Sequence, residues 1–368
     1  MERFMIRKSH TLSVSAAALC LQVVTASAQD ADVTGKFYYI LPDVETVRFE
    51  QFDRPAFEKA AAELMPNAQV EVLNSENNVQ RQTSQVQAAI ANGAKAIVLI
   101  TVDPKQAAGS LALAADAGIP VICMAHACHG GPAFAYLTAP FIEIGEKQAQ
   151  KAAEVIEQHF SETGEPFRLA KIYGDPKFPF YTDQVKGIDP ILDPLVEAGK
   201  LEVVCEADAL LWLPPRAQTA MSQCIAKTDG QVDGIFAMND DTGGAALAAV
   251  EAAAIGSVKL FGGYDASIAG VRRVAAGQQE MDMTVDYVGM NRLAVELSIM
   301  AAQGQTIPGD MVVTSYDNDY PGGLPEVHAV NSVILPETIQ EAVLDAGLYT
   351  REQLCGGIAV DTDLCKAN

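Results

Sequence analysis

Between positions 123 and 129 the chain gathers Cys123, His126, Cys128 and His129, two thiols and two imidazoles that in principle wrap a soft metal ion. Their spacing is neither that of a zinc finger nor that of a zinc knuckle. In an oxidising compartment the two cysteines are expected to close on each other, which leaves His126 as a cleft side chain and no metal site. His129-Gly130-Gly131 has the outline of an esterase oxyanion loop, but no nucleophile on a strained elbow accompanies it. An exported enzyme would have to use Asp265, Asp286 or His126 as acid and base, and two carboxylates on one cleft are necessary for glycoside hydrolysis without being sufficient. G-x-S-x-G, G-x-x-x-x-G-K-[ST], H-E-x-x-H and a helix-opening G-x-G-x-x-G are all absent. The chain is therefore read as a binding protein, with neither catalysis nor a cofactor.

The elements that must position these side chains follow a regular alternation. Strand-like runs at Lys36–Leu41, Gln69–Leu73, Lys95–Thr101, Ile119–Met124 and Phe134–Thr138 are separated by helical stretches, the pattern of parallel βαβ units. After a long helix over Phe141–Phe160, a second series takes in Arg168–Tyr173, Leu201–Cys205, Val232–Met238, Val258–Gly262 and Met281–Asp286. The fold class is α/β, with two doubly wound parallel-sheet lobes joined by a multi-strand hinge. The boundaries expected are 29–138 with 286–314 for the N-terminal lobe, and 139–285 with 315–368 for the C-terminal lobe. Ligand then belongs in the cleft between them, at the C-terminal ends of the strands.

Residues 1–28 read as a signal peptide. Arg3, Arg7 and Lys8 precede a short apolar run, and Ala26-Ser27-Ala28 offers a cleavage site, so export to the periplasm with Gln29 first is expected. Removing that leader leaves 22 basic against 46 acidic residues. So negative a chain repels nucleic acid and anionic membrane. The six cysteines beyond the leader fall into three local pairs, Cys123 with Cys128, Cys205 with Cys224, and Cys355 with Cys365. Three disulfides are expected, although spacing alone does not prove the connectivity.

Three runs carry a likeness to a known family: Ala237-Met238-Asn239-Asp240, then Gly262-Gly263-Tyr264-Asp265-Ala266, then Ile268 to Gly277. Asp53 to Phe57, Trp212-Leu213-Pro214 and the tail from Val333 to Cys365 add to it. Over nearly all of its length after the leader, the chain resembles the type I periplasmic binding proteins of ABC sugar importers, in their D-xylose-binding branch. That resemblance implies a hinged receptor that holds one sugar between polar side chains and aromatic faces and presents its closed form to an inner-membrane ABC permease. It implies ligand contacts at Asn239 and Asp265, with Trp212 set against the sugar and Arg48 and Phe49 as a charged and aromatic pair. Asp286 is expected at ligand or hinge, and Asn239 is also placed to cap the helix behind it.

Two departures bear on the ligand. Ala125-His126 stands where the family has an Asp-Arg pair, and the loop after Tyr173 brings Phe180 and Tyr181 where the xylose branch has asparagines. With Asp43, Asp265 and Asp286 facing such rings, a small amine is the rival to a monosaccharide or polyol. The rival role is a periplasmic sensor feeding a kinase or chemoreceptor. A monomer is expected.

Overall fold

The computed structural model describes residues 33–366, so the leader and the cleavage site lie outside the described residues. The first lobe is built from β1 (Gly35–Leu41), α1 (Arg54–Leu64), β2 (Ala68–Asn74), α2 (Val79–Ala91), β3 (Ala94–Leu99), α3 (Ala108–Asp116), β4 (Val121–Met124) and β5 (Ala135–Thr138). β1, β3, β4 and β5 are apolar almost throughout and buried, as strands covered on both faces must be. The second lobe runs through α4 (Phe141–Thr163), β6 (Phe167–Tyr173), α5 (Pro179–Glu197), β7 (Leu201–Asp208), α6 (Pro214–Lys227), β8 (Gly234–Ala237), α7 (Asp240–Ala253), β9 (Lys259–Gly262) and α8 (Ile268–Ala275). Its sheet is four-stranded and wholly parallel, in the order β7-β6-β8-β9.

The chain then returns through β10 (Asp282–Val285), α9 (Tyr287–Ala302), β11 (Thr314–Tyr316), β12 (Leu324–His328) and β13 (Asn331–Ile334). Here one expected boundary is corrected: residues 315–328, assigned to the second lobe, extend the first sheet, whose order is β11-β12-β5-β4-β3-β1-β2. Pro321, Gly322, Gly323 and Pro325 disguise this hairpin as irregular chain, yet β12 pairs parallel with β5 through Glu326 and Tyr136.

Three segments pass between the lobes, after β5, after β10 and after β12. They are tied side by side, with the Ala329 N–H donating to the Thr138 carbonyl and the Asp286 N–H to the Val330 carbonyl.

Helix α5 has no clear signal, because Gly187, Pro190 and Pro194 all read as breakers. Packing overrides them. A Cβ on Gly145 would stand 2.1 Å from the Gln184 carbonyl oxygen, and one on Gly187 2.1 Å from that of Ile142, so α4 and α5 meet backbone to backbone. That contact brings the first turns of both helices together at the cleft.

Candidate functional site

Where the C-terminal ends of β1, β3, β4, β6, β8 and β9 face one another, they enclose a cavity of ≈ 210 Å³. Of the expected site residues, Asp43, Arg48, Phe49, His126, Phe180, Trp212, Asn239 and Asp265 line it. Two do not. Tyr181 follows Phe180 by one helical position, roughly 100° around the axis, and its hydroxyl donates to Asp208 Oδ1 at 3.0 Å. Asp286 lies exposed at the start of α9, where Oδ1 accepts the Gly289 N–H at 2.9 Å.

One side of the cavity is aromatic. The His126 ring lies 4.7 Å from Phe178 and 5.7 Å from Phe180, centroid to centroid, and Phe180 lies 5.0 Å from Phe141 and 5.5 Å from Trp212. The α4–α5 contact explains the Phe141–Phe180 neighbourhood, since these residues open the two helices. Trp212 lies on a short turn in which Leu211 and Trp212 both take positive φ, 61° and 56°. The Asp175 carboxylate holds that turn by accepting the Leu211 N–H at 2.8 Å. Gly174 makes room for the indole: a Cβ there would fall 1.9 Å from Trp212 Cη2.

The other side is polar. Arg48 is buried, its Nε 3.0 Å from Asp53 Oδ2 and its Nη1 3.7 Å from Asp265 Oδ1, and its guanidinium lies 4.8 Å from the Tyr287 ring centre. Since Arg48 follows β1 and Asp265 follows β9, this ion pair joins the two lobes. Burial pushes the Asp265 carboxyl up to about 7, against the opposing pull of Arg48. Asp265 is held at a φ of 87°, the left-handed region that costs a non-glycine residue energy and recurs at ligand sites. Asn239 caps α7, its Oδ1 accepting the Thr242 N–H at 3.2 Å, while it also lines the cavity; the two roles coexist.

Burial lowers His126 to about 4. The ring is neutral near pH 7, and its Nδ1, 2.6 Å from the Thr101 carbonyl, must carry the proton because a carbonyl only accepts. Nε2 is left as an acceptor. The loop bearing this histidine is closed by the Cys123–Cys128 disulfide, one of three present, with Cys205–Cys224 and Cys355–Cys365. Both thiols of the 123–129 cluster are thereby consumed, and His129 turns away to Asp319 and Tyr316. Among the described residues no group of histidine, cysteine and carboxylate side chains is arranged to hold a metal ion, and no helix is long and apolar enough to cross a membrane.

Sequence reasoning missed Phe141, Lys177, Phe178, Asp241 and Tyr264, all of which line the cavity. Phe178 and Tyr264 lie within segments singled out for other residues. Asp241 follows the capping pair and reads as a first-turn acid. Phe141 carries no signal beyond its place at the start of a helix.

A family model for the periplasmic binding protein domain matches residues 37–306. The chain is 26% identical to the D-xylose-binding periplasmic protein of Escherichia coli (strain K12) over 340 residues, covering 92% of this chain and 96% of that one. It is 25% identical to the multiple sugar-binding periplasmic receptor ChvE of Rhizobium radiobacter over 299 residues, covering 76% and 81%. Among solved structures, an ABC transporter solute-binding protein from Clostridium phytofermentans with bound β-D-glucose superimposes with a TM-score of 0.75 at 26% identity, covering 87% of this chain and 99% of that one.

Proposed function

The chain belongs to the periplasmic binding protein family, and from that premise we propose that it captures one monosaccharide or polyol between its lobes and delivers it to an ABC permease, making and breaking no bond. The observation that carries this reading is the two-sided cavity. A sugar ring presents C–H faces and a rim of hydroxyls. Phe178, Phe180, Phe141 and Trp212 offer faces for the first, while Asn239, Asp265, Arg48 and the His126 Nε2 offer donors and acceptors for the second. Because these groups come from both lobes, a ligand that satisfies them all favours closure, and expelling water strengthens each hydrogen bond.

His126 also redefines what is recognised near β4. A guanidinium only donates, whereas the neutral imidazole accepts through Nε2, so the ligand hydroxyl nearest His126 acts as a donor. The export leader, cleaved after Ala28, puts this activity in the periplasm.

The test is a thermal-shift and calorimetric screen of ligand-stripped mature protein against pentoses, hexoses, cyclitols and small amines. A sugar or polyol is expected to raise the melting temperature by mass action, with affinity near micromolar, about 8 kcal/mol. A screen in which only compounds without hydroxyls bind overturns the reading.

A further inference from the structure

The charges around the cavity are not balanced. Four carboxylates line it, from Asp43, Glu45, Asp241 and Asp265, against two cations, Arg48 and Lys177. Both cations already have partners. Arg48 is held by Asp53 and Asp265, and Lys177 Nζ is 4.0 Å from Asp103 Oδ2, a carboxylate outside the lining.

The carboxylates differ from one another in the same respect. Asp43 accepts the Thr46 N–H at 2.7 Å and Glu45 the Val44 N–H at 3.2 Å, while Asp265 has Arg48. Asp241, half-buried in the first turn of α7, has neither a hydrogen-bond partner nor an ion pair among the described residues. Burial raises its pKa, Asp240 adds to the rise, and Arg273 opposes it. Arg273 does not reach it as a partner: its Nη2 donates to the Asp240 carbonyl and its Nε to Gln279. The adjacent Asp240 carboxylate, by contrast, is partnered: it accepts from the Ser267 N–H and from Gln279 Nε2 and lies in hydrogen-bond contact with the Asp282 carboxyl. The end of α7 contributes only the partial positive charge of its backbone, and Asn239 already answers part of that.

A half-buried carboxylate with no protein partner on the wall of a binding cavity, with aromatic faces on the same walls, suits a cation that also has an apolar face to stack. Resting on the polyol reading above, we propose that the ligand of this cleft carries a protonated primary amine, which pairs with the Asp241 carboxylate while the ring lies against the aromatic wall. The shared chemistry is an ammonium group on a polyhydroxylated ring, and the two sources that fit it are an amino sugar and an aminocyclitol.

The experiment is isothermal titration calorimetry of ligand-stripped mature protein at pH 7, each neutral ring paired with its amine: D-glucose with D-glucosamine, D-galactose with D-galactosamine, and myo-inositol with a monoamino-inositol. N-acetylated forms serve as uncharged controls. At least one amine is expected to bind about tenfold or more tightly than its parent, to lose that preference on N-acetylation, and to lose it again in Asp241→Asn. Asp241→Glu, which keeps the charge, is expected to retain a preference, so a folding defect in the first variant does not decide the matter. A hexosamine preference identifies an amino sugar, and a preference confined to the inositol pair identifies an aminocyclitol. If neutral rings bind and no amine exceeds its parent, or if the preference survives in Asp241→Asn, this inference is overturned and the polyol reading stands. If neither class binds, both fall.

Discussion

Asp265 couples the empty cleft to pH in a way that can be worked through. Its carboxyl is raised by burial from an ordinary value of 3.8 to about 7. The folded state therefore keeps the proton over a range in which the unfolded chain has released it. A raised pKa contributes stability that is complete below about 3.8 and is lost as pH rises through about 7. The gap of about three units corresponds to roughly 4 kcal/mol, and because the side chain is 21% exposed this figure is a ceiling. Replacing the carboxyl by an amide of the same shape, Asp265→Asn, removes the titration and keeps the volume. The assay is urea unfolding of ligand-stripped protein at half-unit steps from pH 4 to pH 8.5. Wild type minus variant is expected to fall by roughly 1–4 kcal/mol between pH 4 and pH 7, and to level off above about 7. Parallel curves refute the reasoning, since they mean that Arg48 and Asn239 already hold a fully ionised carboxylate. Saturating sugar is expected to move the levelling-off point to lower pH, because donated hydroxyls favour the ionised form.

Gly174→Ala forces a methyl into the space of the indole ring, and with Trp212 the sole tryptophan its fluorescence emission is expected to shift while affinity drops about tenfold or more; unchanged emission would sink the packing argument. Arg48→Met leaves Asp53 buried without its counter-charge, so the free protein should lose about 3–5 kcal/mol in denaturant titration. The double replacement of Cys123 and Cys128 by serine opens the loop that aims His126, at an expected cost of about 2 kcal/mol from loop entropy together with weaker ligand binding measured by calorimetry. Gly145→Ala should lower the melting temperature and weaken ligand binding measured by calorimetry, since its added methyl meets the backbone of Gln184, which itself lines the cavity.

The sequence by itself determined the alternation of strands and helices, because apolar runs of strand length separated by amphipathic stretches admit little else, and nearly every strand of both parallel sheets lies where its apolar run predicts. Three local cysteine pairs were legible as well, while the connectivity Cys123–Cys128, Cys205–Cys224 and Cys355–Cys365 came from the structure. Residues at strand ends were legible because parallel sheets direct them to one edge: Asn239 after β8, Asp265 after β9 and His126 after β4 all reach the cavity. What only the tertiary structure decided depends on contacts between distant segments. Helix α5 exists against its own prolines because two glycines let α4 approach, and the hairpin of β11 and β12 joins the first sheet because β5 offers an unpaired edge. The direction of a single side chain was decided there too, with Phe180 turned into the cleft and Tyr181, one residue on, turned out to Asp208. The isolation of Asp241 belongs to the same category. Its neighbour Asp240 is matched by Ser267 and Gln279, and no local pattern of residues records which of two adjacent carboxylates the fold will leave without a partner.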